Sequence, residues 1–424
     1  MALEFDIVVV GAGPAGIAAA CAASESGARA GVVDANPAAG GQIWRGEAAM
    51  PSNRQARAWL ERLRRTKVEV VTSTHVLDRP AGRVLLADRA GVAIEIRYGK
   101  IIIATGARER WIPFPGWTLP NVMGAGGLQA LVKGGLPIEG KRVIVAGTGP
   151  LLIAVAAYLK QHGAEVPVIA EQTSTKHLTR FVFSLAGELG KLFDAIRFRW
   201  ALRGSQYLTG CWPVAAEGKS QVEAVVLQGG GQTRREGCDY LACGFGLAPN
   251  LELARLLGCE VRNGTVAVNE WQETSVEGVW CAGEPTGIGG VEAALVEGEI
   301  AGYDAAGLRD RASVLFGRRA AALAFANTLD RAFALREELR QLPRPDTIVC
   351  RCEDVPYERL RTFDNWRAAK LQTRCGMGPC QGRVCGSAIE WLLGWPQADV
   401  RPPLFPAPVS HLTAHSESDI TVSE

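Results

Sequence analysis

Apolar positions along the chain fall into short β-branched runs, joined by glycine-rich turns and by longer stretches of small residues. The first run, Ile7-Val8-Val9-Val10, turns through Gly11-Ala12-Gly13-Pro14-Ala15-Gly16 into an Ala-rich segment from Ile17 to Ala23. After Gly27 a second run, Ala30 to Val33, ends on Asp34. Short apolar runs bounded by turn residues predict buried strands, and the Ala-rich segment predicts a helix packed tightly on them. Arg54 to Arg65 has helical spacing with Trp59, Leu60 and Leu63 on one face, and Val68–Val71, Val84–Ala87 and Val92–Arg97 read as strands. Lys100-Ile101-Ile102-Ile103 is a further strand that ends in Ala104-Thr105-Gly106. Three prolines, Pro113, Pro115 and Pro120, then mark a crossover into a second domain.

The opening unit recurs. Val143-Ile144-Val145-Ala146 leads through Gly147-Thr148-Gly149-Pro150-Leu151-Leu152 to a helix ending at Gln161, and a strand from Val166 closes on Glu171. Phe181 to Trp200 has helical spacing, and Val222–Leu227 and Tyr240–Ala242 read as strands. The chain returns to the first domain at Glu273 to Cys281, and a small-residue helix runs from Val291 to Ala301. Asp310 to Leu342 reads as one or two helices, a packed connector, with Pro343-Arg344-Pro345 as a linker. Strands alternating with helices predict an α/β fold with parallel, doubly wound sheets.

Each glycine of the first turn has a physical task. Gly11 permits the tight turn, Gly13 lets the backbone approach a pyrophosphate, and Gly16 lets the helix lie on the strand. The helix that opens with Pro14 and Ala15 presents the free N–H groups of its first turn, from Ala15 on, to phosphate, and Asp34 is placed to accept from a ribose diol. Gly41 and Gln42 follow at a position suited to a flexible cofactor chain, and the turn Ala104-Thr105-Gly106 comes back to the same crevice. So does Gly283-Glu284, with Gly290 and Val291 opening a helix whose dipole would stabilise a reduced, anionic flavin. These stretches predict one FAD site. No cysteine pair follows Gly41-Gln42, so disulfide-reductase chemistry is not expected. In the second turn Leu152 stands where close packing calls for glycine. Gly147, Thr148, Gly149, Pro150 and Glu171 therefore suggest NAD(P)H, another nucleotide such as ATP, or a fold that only packs.

At 424 residues the chain has room for two to four domains of roughly 100–200 residues each. Apolar residues make up 47% and charged residues 21%, which argues against disorder, and a formal charge of +2 gives no field for nucleic acid or membrane. Gly11, Gly13, Pro14 and Gly16 interrupt the first apolar stretch and no basic region precedes it, so a signal or membrane helix is not expected there. With that, a reducing, cytoplasmic setting is expected, and the eleven cysteines suggest a metal or redox site over a disulfide framework. Five of them are Cys350, Cys352, Cys375, Cys380 and Cys385. Cys-x-Cys is tight for zinc, glycines at 376, 378 and 382 free N–H groups for sulfur, and no histidine is near. An iron–sulfur cluster is expected on Cys350, Cys352, Cys380 and Cys385, with Cys375 to spare. Cysteines 21, 211, 238, 243, 259 and 281 are expected in the core, and His411 and His415 receive no role.

Together DIVVVGAGPAGIAAA, GGQIW, IIIATGARER, CAGE and CRCEDV…TRCGMGPCQGRVC resemble the large flavoprotein subunit of heteromeric dye-linked dehydrogenases, over nearly the whole length. That family takes in the A subunit of opine oxidase, the alpha subunits of D-hydroxyproline and proline dehydrogenases, and the B subunit of hydrogen cyanide synthase. The resemblance implies a two-dinucleotide flavoprotein of the glutathione-reductase type with a small helical [2Fe–2S] domain similar to bacterioferritin-associated ferredoxin. It implies FAD, the four ligands just named, and in some relatives FMN at a subunit interface and ATP in the second fold. It also implies a D-amino-acid-oxidase-like FAD partner and a small ferredoxin-like subunit, in a complex that is cytoplasmic or peripheral at the inner membrane. The expected domains are 1–112 with 270–310 for FAD, 113–269 for the second fold, 311–345 as connector, 346–395 for the cluster and 396–424 as tail. The expected activity is electron transfer within a dehydrogenase that oxidises the C–N bond of an amino acid or opine, towards a quinone or other acceptor. A self-sufficient NAD(P)H-dependent reductase and a non-enzymatic scaffold are the rivals. No acid–base or nucleophilic catalytic set is evident in the chain.

Overall fold

The computed structural model describes residues 2–47, 53–184, 203–396 and 400–413. The chain divides into two compact units, Met1–Arg108 with Ala248–Ala326 and Asp399–Glu424, and Glu109–Leu247 with Asn327–Ala398. Among the described residues no helix is long and apolar enough to cross a membrane.

The first unit is built on a seven-stranded sheet. Its order is Glu69–Val71, Ala30–Val33, Ala2–Val10, Val92–Ile103, Val84–Arg89, Thr74–Asp78, and Val279–Cys281 also pairs with Val92–Ile103. Ala2–Val10 is parallel to both neighbours, which suits β-branched residues buried on both faces. The two strands expected at 92–97 and 100–103 form one, Val92–Ile103. Continuity comes from Ala2–Val10, which pairs along it from Glu95 to Ile103. Gly99 sits mid-strand, where a Cβ would come 2.8 Å from the Asp6 carbonyl oxygen.

Helices Pro14–Glu25 and Gly290–Ala305 pack on one another through small residues. A Cβ at Gly298 would lie 2.2 Å from the Ala15 carbonyl oxygen, and one at Gly302 would lie 2.3 Å from that of Ala19. Helix Arg54–Arg65 starts where the Asn53 side chain accepts from the N–H groups of Gln55 and Ala56, and it buries Leu60 and Leu63. Residues 248–269, expected in the second domain, fall in this unit. Leu251, Leu253, Ala254 and Leu257 are buried in one core with Val8, Ile101 and Ile103, which holds the segment here.

The second unit has a five-stranded parallel sheet, Gln206–Thr209, Val168–Glu171, Val143–Gly147, Tyr240–Gly244, Val122–Gly124. An antiparallel meander, Cys211–Glu217, Ala224–Gly229, Gln232–Gly237, accompanies it. The helix expected from Phe181 begins earlier, as Thr175–Ser184; residues 185–200 of that expectation lie outside the described residues. The connector forms helix Arg309–Ser313, which belongs to the first unit, helix Phe316–Ala332, which belongs to the first unit up to Ala326 and to the second from Asn327, and a 3-10 turn, Glu337–Gln341, in the second. The cysteine-rich module has its own core of Val349, Val355, Leu360, Trp366 and Ile389. Around it stand the ladder Ile348–Cys350 with Val355–Pro356 and the helices Tyr357–Leu360, Trp366–Thr373 and Cys385–Leu393.

Candidate cofactor sites

In the first unit the strand ends bring the expected FAD residues to one crevice. A Cβ at Gly11 would fall 2.2 Å from the Ala104 carbonyl oxygen, and one at Gly16 would fall 1.7 Å from that of Gly11. These two glycines let turn, helix and the Ala104-Thr105-Gly106 turn close together. Gly13 differs: its Cβ would meet nothing nearer than the Gly41 Cα at 3.9 Å. The space before it is open, and helix Pro14–Glu25 begins there with Gly13 as its N-cap. The Gly40 N–H donates to the Ala12 carbonyl, which draws Gly41 onto Gly13, and Gln42 lies beside it, accepting from Arg45.

Asp34 is 7% exposed, and its carboxylate accepts from the N–H groups of Ala12 at 2.5 Å and Asn36 at 2.7 Å. It thus faces the turn from the tip of the second strand. Thr105 and Gly106 are braced by Asn250, whose side-chain amide donates to the Thr105 carbonyl and whose N–H donates to that of Gly106. Gly283 packs against Ala15, and the Glu284 carboxyl is pushed up by burial while the Ala107 N–H opposes that shift. Gly290 and Val291 open the helix Gly290–Ala305, whose Ala294 lies 3.6 Å from where a Cβ on Gly283 would be. An open cradle at Gly13, small residues at every close approach and an acid at the strand tip fit a dinucleotide.

Glu297 was not expected, although a carboxylate inside an alanine-rich helix was a signal. It accepts from the Gly283 N–H at 2.8 Å and the Thr286 hydroxyl at 3.1 Å, and so fixes the turn that carries Glu284. Burial raises its pKa from the ordinary 4.5 to about 7. A raised carboxyl pKa means the folded state binds the proton more tightly than the unfolded chain. Its contribution is therefore fully present below the unfolded pKa and is lost as pH rises through about 7. Glu297→Gln keeps an acceptor oxygen and removes the titration. Urea unfolding of flavin-free protein should show stability falling between pH 5 and 8 for the unmodified chain and a flatter profile for the variant, with a gap on the order of 2–3 kcal/mol at the upper end.

In the second unit Gly147, Thr148, Gly149, Pro150 and Glu171 gather at the ends of strands Val143–Gly147 and Val168–Glu171. Glu171 is fully buried and accepts from the N–H groups of Gly149 and Thr173, both at 2.8 Å. Leu152 neither lifts the helix nor blocks the turn. It is buried over Gly244, where the missing side chain leaves it room; a Cβ on Gly244 would lie 3.1 Å from Leu152 Cδ2.

The five C-terminal cysteines form two groups. Cys350, Cys375 and Cys385 are buried, with their sulfurs all within 4.8 Å of one another. Cys352, exposed, and Cys380, half-buried, have sulfurs 3.6 Å apart. The structure thus places Cys375, expected to be spare, beside two of the four expected ligands, and keeps the other two as a separate surface pair. Gly376 donates its N–H to the Cys350 sulfur at 3.5 Å. A Cβ at Gly378 would fall 2.3 Å from that of Cys352, so glycine is required for this loop to approach. Among the described residues no histidine or carboxylate joins the buried group, and an all-thiol set with a backbone N–H on sulfur fits an iron–sulfur centre. The other six cysteines are buried, and burial pushes up those of Cys21 and Cys238 to about 12, leaving unreactive thiols.

Residues 5–298 match the family described as pyridine nucleotide-disulphide oxidoreductase. The chain belongs to this family. It is a flavoprotein oxidoreductase of Rossmann-type fold, and the matched domain implies FAD. It is 30% identical to the A subunit of opine oxidase from Agrobacterium tumefaciens, covering 94% of this chain and 87% of that one. It is 29% identical to the HcnB subunit of hydrogen cyanide synthase from Pseudomonas protegens, over the whole of both. L-proline dehydrogenase from P. horikoshii has the same fold, with a TM-score of 0.66 at 20% identity over 97% of this chain and 80% of that one. The first two relatives are thus both named as subunits.

Proposed function

We propose that this chain is the FAD- and [2Fe–2S]-containing electron-transfer subunit of a heteromeric, cytoplasmic dehydrogenase that oxidises the C–N bond of an amino acid or opine. The observation that carries the proposal is the presence, in one chain, of an open dinucleotide cradle and of a small module with five thiols, three buried together and two paired at its surface. FAD supplies two-electron chemistry when bound, and a cluster supplies single-electron steps. The residues' part is to position and tune. Gly13 and the helix that follows it would receive the pyrophosphate, Asp34 the ribose, and Glu297 would hold the Gly283-Glu284 turn in place. Cys350, Cys352, Cys380 and Cys385 would hold the cluster. The resemblance to named subunits supports a hetero-oligomer. Its proposed partners are a substrate-binding subunit similar to D-amino-acid oxidase and a small ferredoxin-like one.

The test is purification of the tagged chain from its own cells with whatever binds it stoichiometrically. Dye reduction should need an amino acid or opine and the co-purified flavoprotein, and this chain alone should show none. The rival NAD(P)H reductase is checked on the isolated, oxidised protein by stopped-flow mixing with NADH or NADPH. The flavin band should persist over the turnover time; fast bleaching would reverse the assignment.

A further inference from the structure

The second dinucleotide fold has an occupant of its own. After helix Phe316–Ala332 the chain crosses the mouth formed by the Gly147-Thr148-Gly149 turn and the Glu171-Gln172-Thr173 strand end. The Phe333 ring stands over the glycine turn, its Cγ 4.0 Å from where a Cβ on Gly149 would be. In the first fold the corresponding position, Gly13, looks onto Gly41 and open space. The Thr148 hydroxyl donates to the Phe333 carbonyl at 3.2 Å. Gln172, fully buried, is bonded at both ends of its amide: its N–H donates to the Ala334 carbonyl at 3.0 Å, and its oxygen accepts from the Arg336 N–H at 3.1 Å. Arg336 is then fixed from its far side, its guanidinium 4.5 Å from the centre of the Trp212 ring. Leu335 and Leu339 pack into the core of the same unit.

A dinucleotide fold binds phosphate at the glycine turn and ribose at the acid of the second strand. Here the Phe333 ring lies over the glycine turn, and the Phe333 and Ala334 carbonyls are held by Thr148 of that turn and by Gln172, the residue next to the acid. We infer that residues 333–336 and an adenine nucleotide are mutually exclusive occupants of the second fold, so that this strap, not the glycine turn, decides whether nucleotide binds. The inference is independent of the electron-transfer proposal, which concerns the first crevice and the cysteines. It also separates the effect of Leu152, which is accommodated in the core, from the closure of the site. A ligand must displace the strap, so its apparent affinity falls by the fraction of chains with the strap open.

The test is calorimetric titration of ADP into the flavin-loaded protein, unmodified and with Phe333→Ala plus Arg336→Ala, neither residue being part of the FAD crevice or the cysteine-rich module. Loosening the strap should tighten ADP binding by about tenfold or more. Equal affinities in the two proteins, including no binding by either, would overturn the inference. If the double variant does not fold, Phe333→Leu with Arg336→Lys, which keeps an apolar cover and a cation, serves under the same two outcomes with a smaller gain. Hydrogen exchange on the unmodified protein gives a second readout wherever ADP binding is saturable. ADP should speed exchange at the Arg336 amide, and saturable binding that leaves this amide protected would show strap and nucleotide together and sink the exclusion.

Discussion

Gly13→Val should give a folded protein that carries no flavin. The backbone at Gly13 is extended, with φ −77° and ψ −175°, so a β-branched residue meets no strain there. Its Cβ would find no atom of the described chain closer than 3.9 Å. What it would enter is the space before the helix N-terminus, where a pyrophosphate must pass. The substitution therefore opposes the ligand and spares the fold. Gly16→Val is the contrasting case, because its Cβ would sit 1.7 Å from the Gly11 carbonyl oxygen and the turn itself must break. Absorbance of purified Gly13→Val should show flavin reduced to a few per cent or less, while its circular dichroism matches that of flavin-stripped unmodified protein. Its melting temperature should also match that stripped form, since only binding to the folded state is lost. Full flavin content in Gly13→Val would remove the first crevice as the FAD site.

The contrast between these glycines shows what was legible in the sequence and what was not. Strand, turn, helix and acid announce themselves by period and by turn residues, because those signals are local. The α/β fold with its doubly wound, dinucleotide-binding sheets follows from them and stands. Which glycine is needed for packing and which for a ligand is a question about distant atoms, the Ala104 carbonyl for Gly11 and Gly41 for Gly13. Leu152 made the same point in reverse. Sequence spacing marks it as a clash, but Gly244, nearly a hundred residues on, makes the room. Glu297 and Gln172 were hidden because each acts through backbone groups of another segment: Glu297 through Gly283, Gln172 through Ala334 and Arg336. The strap could not be read from Asp310 to Leu342, since helical periodicity describes its helix and not the turn after it.

The cysteine module gives the other large effect. Cys380→Ser should abolish the electron paramagnetic resonance signal of a reduced [2Fe–2S] centre, whereas Cys375→Ser should leave it. A [2Fe–2S] centre takes four thiolates, two to each iron, and this module offers five. Cys352 and Cys380 lie 3.6 Å apart at the surface, one close pair. Cys350 and Cys385 make a second pair at the buried side, where Cys375 is their third neighbour. Cys350 and Cys352 are separated by Arg351 alone, so one short segment serves both pairs. On the other side, Gln381-Gly382-Arg383-Val384 spans the gap from Cys380 to Cys385, with positive φ at Gln381 and Gly382 turning the chain. Cys380 therefore has no substitute at the surface pair, because Cys375 is buried with its sulfur among those of Cys350 and Cys385. Serine at 375 replaces a buried thiol by a slightly smaller hydroxyl and keeps a hydrogen-bond donor next to the sulfurs of Cys350 and Cys385. Iron per chain should then stay near the unmodified value in Cys375→Ser and fall to about half or less in Cys380→Ser. Loss of signal and iron in Cys375→Ser would instead make Cys375 a ligand, joining Cys350 and Cys385 in the buried group, and one of the surface pair would leave the shell. Zinc without iron in protein prepared in the absence of oxygen would end the electron-transfer role of the module, whichever four sulfurs bind.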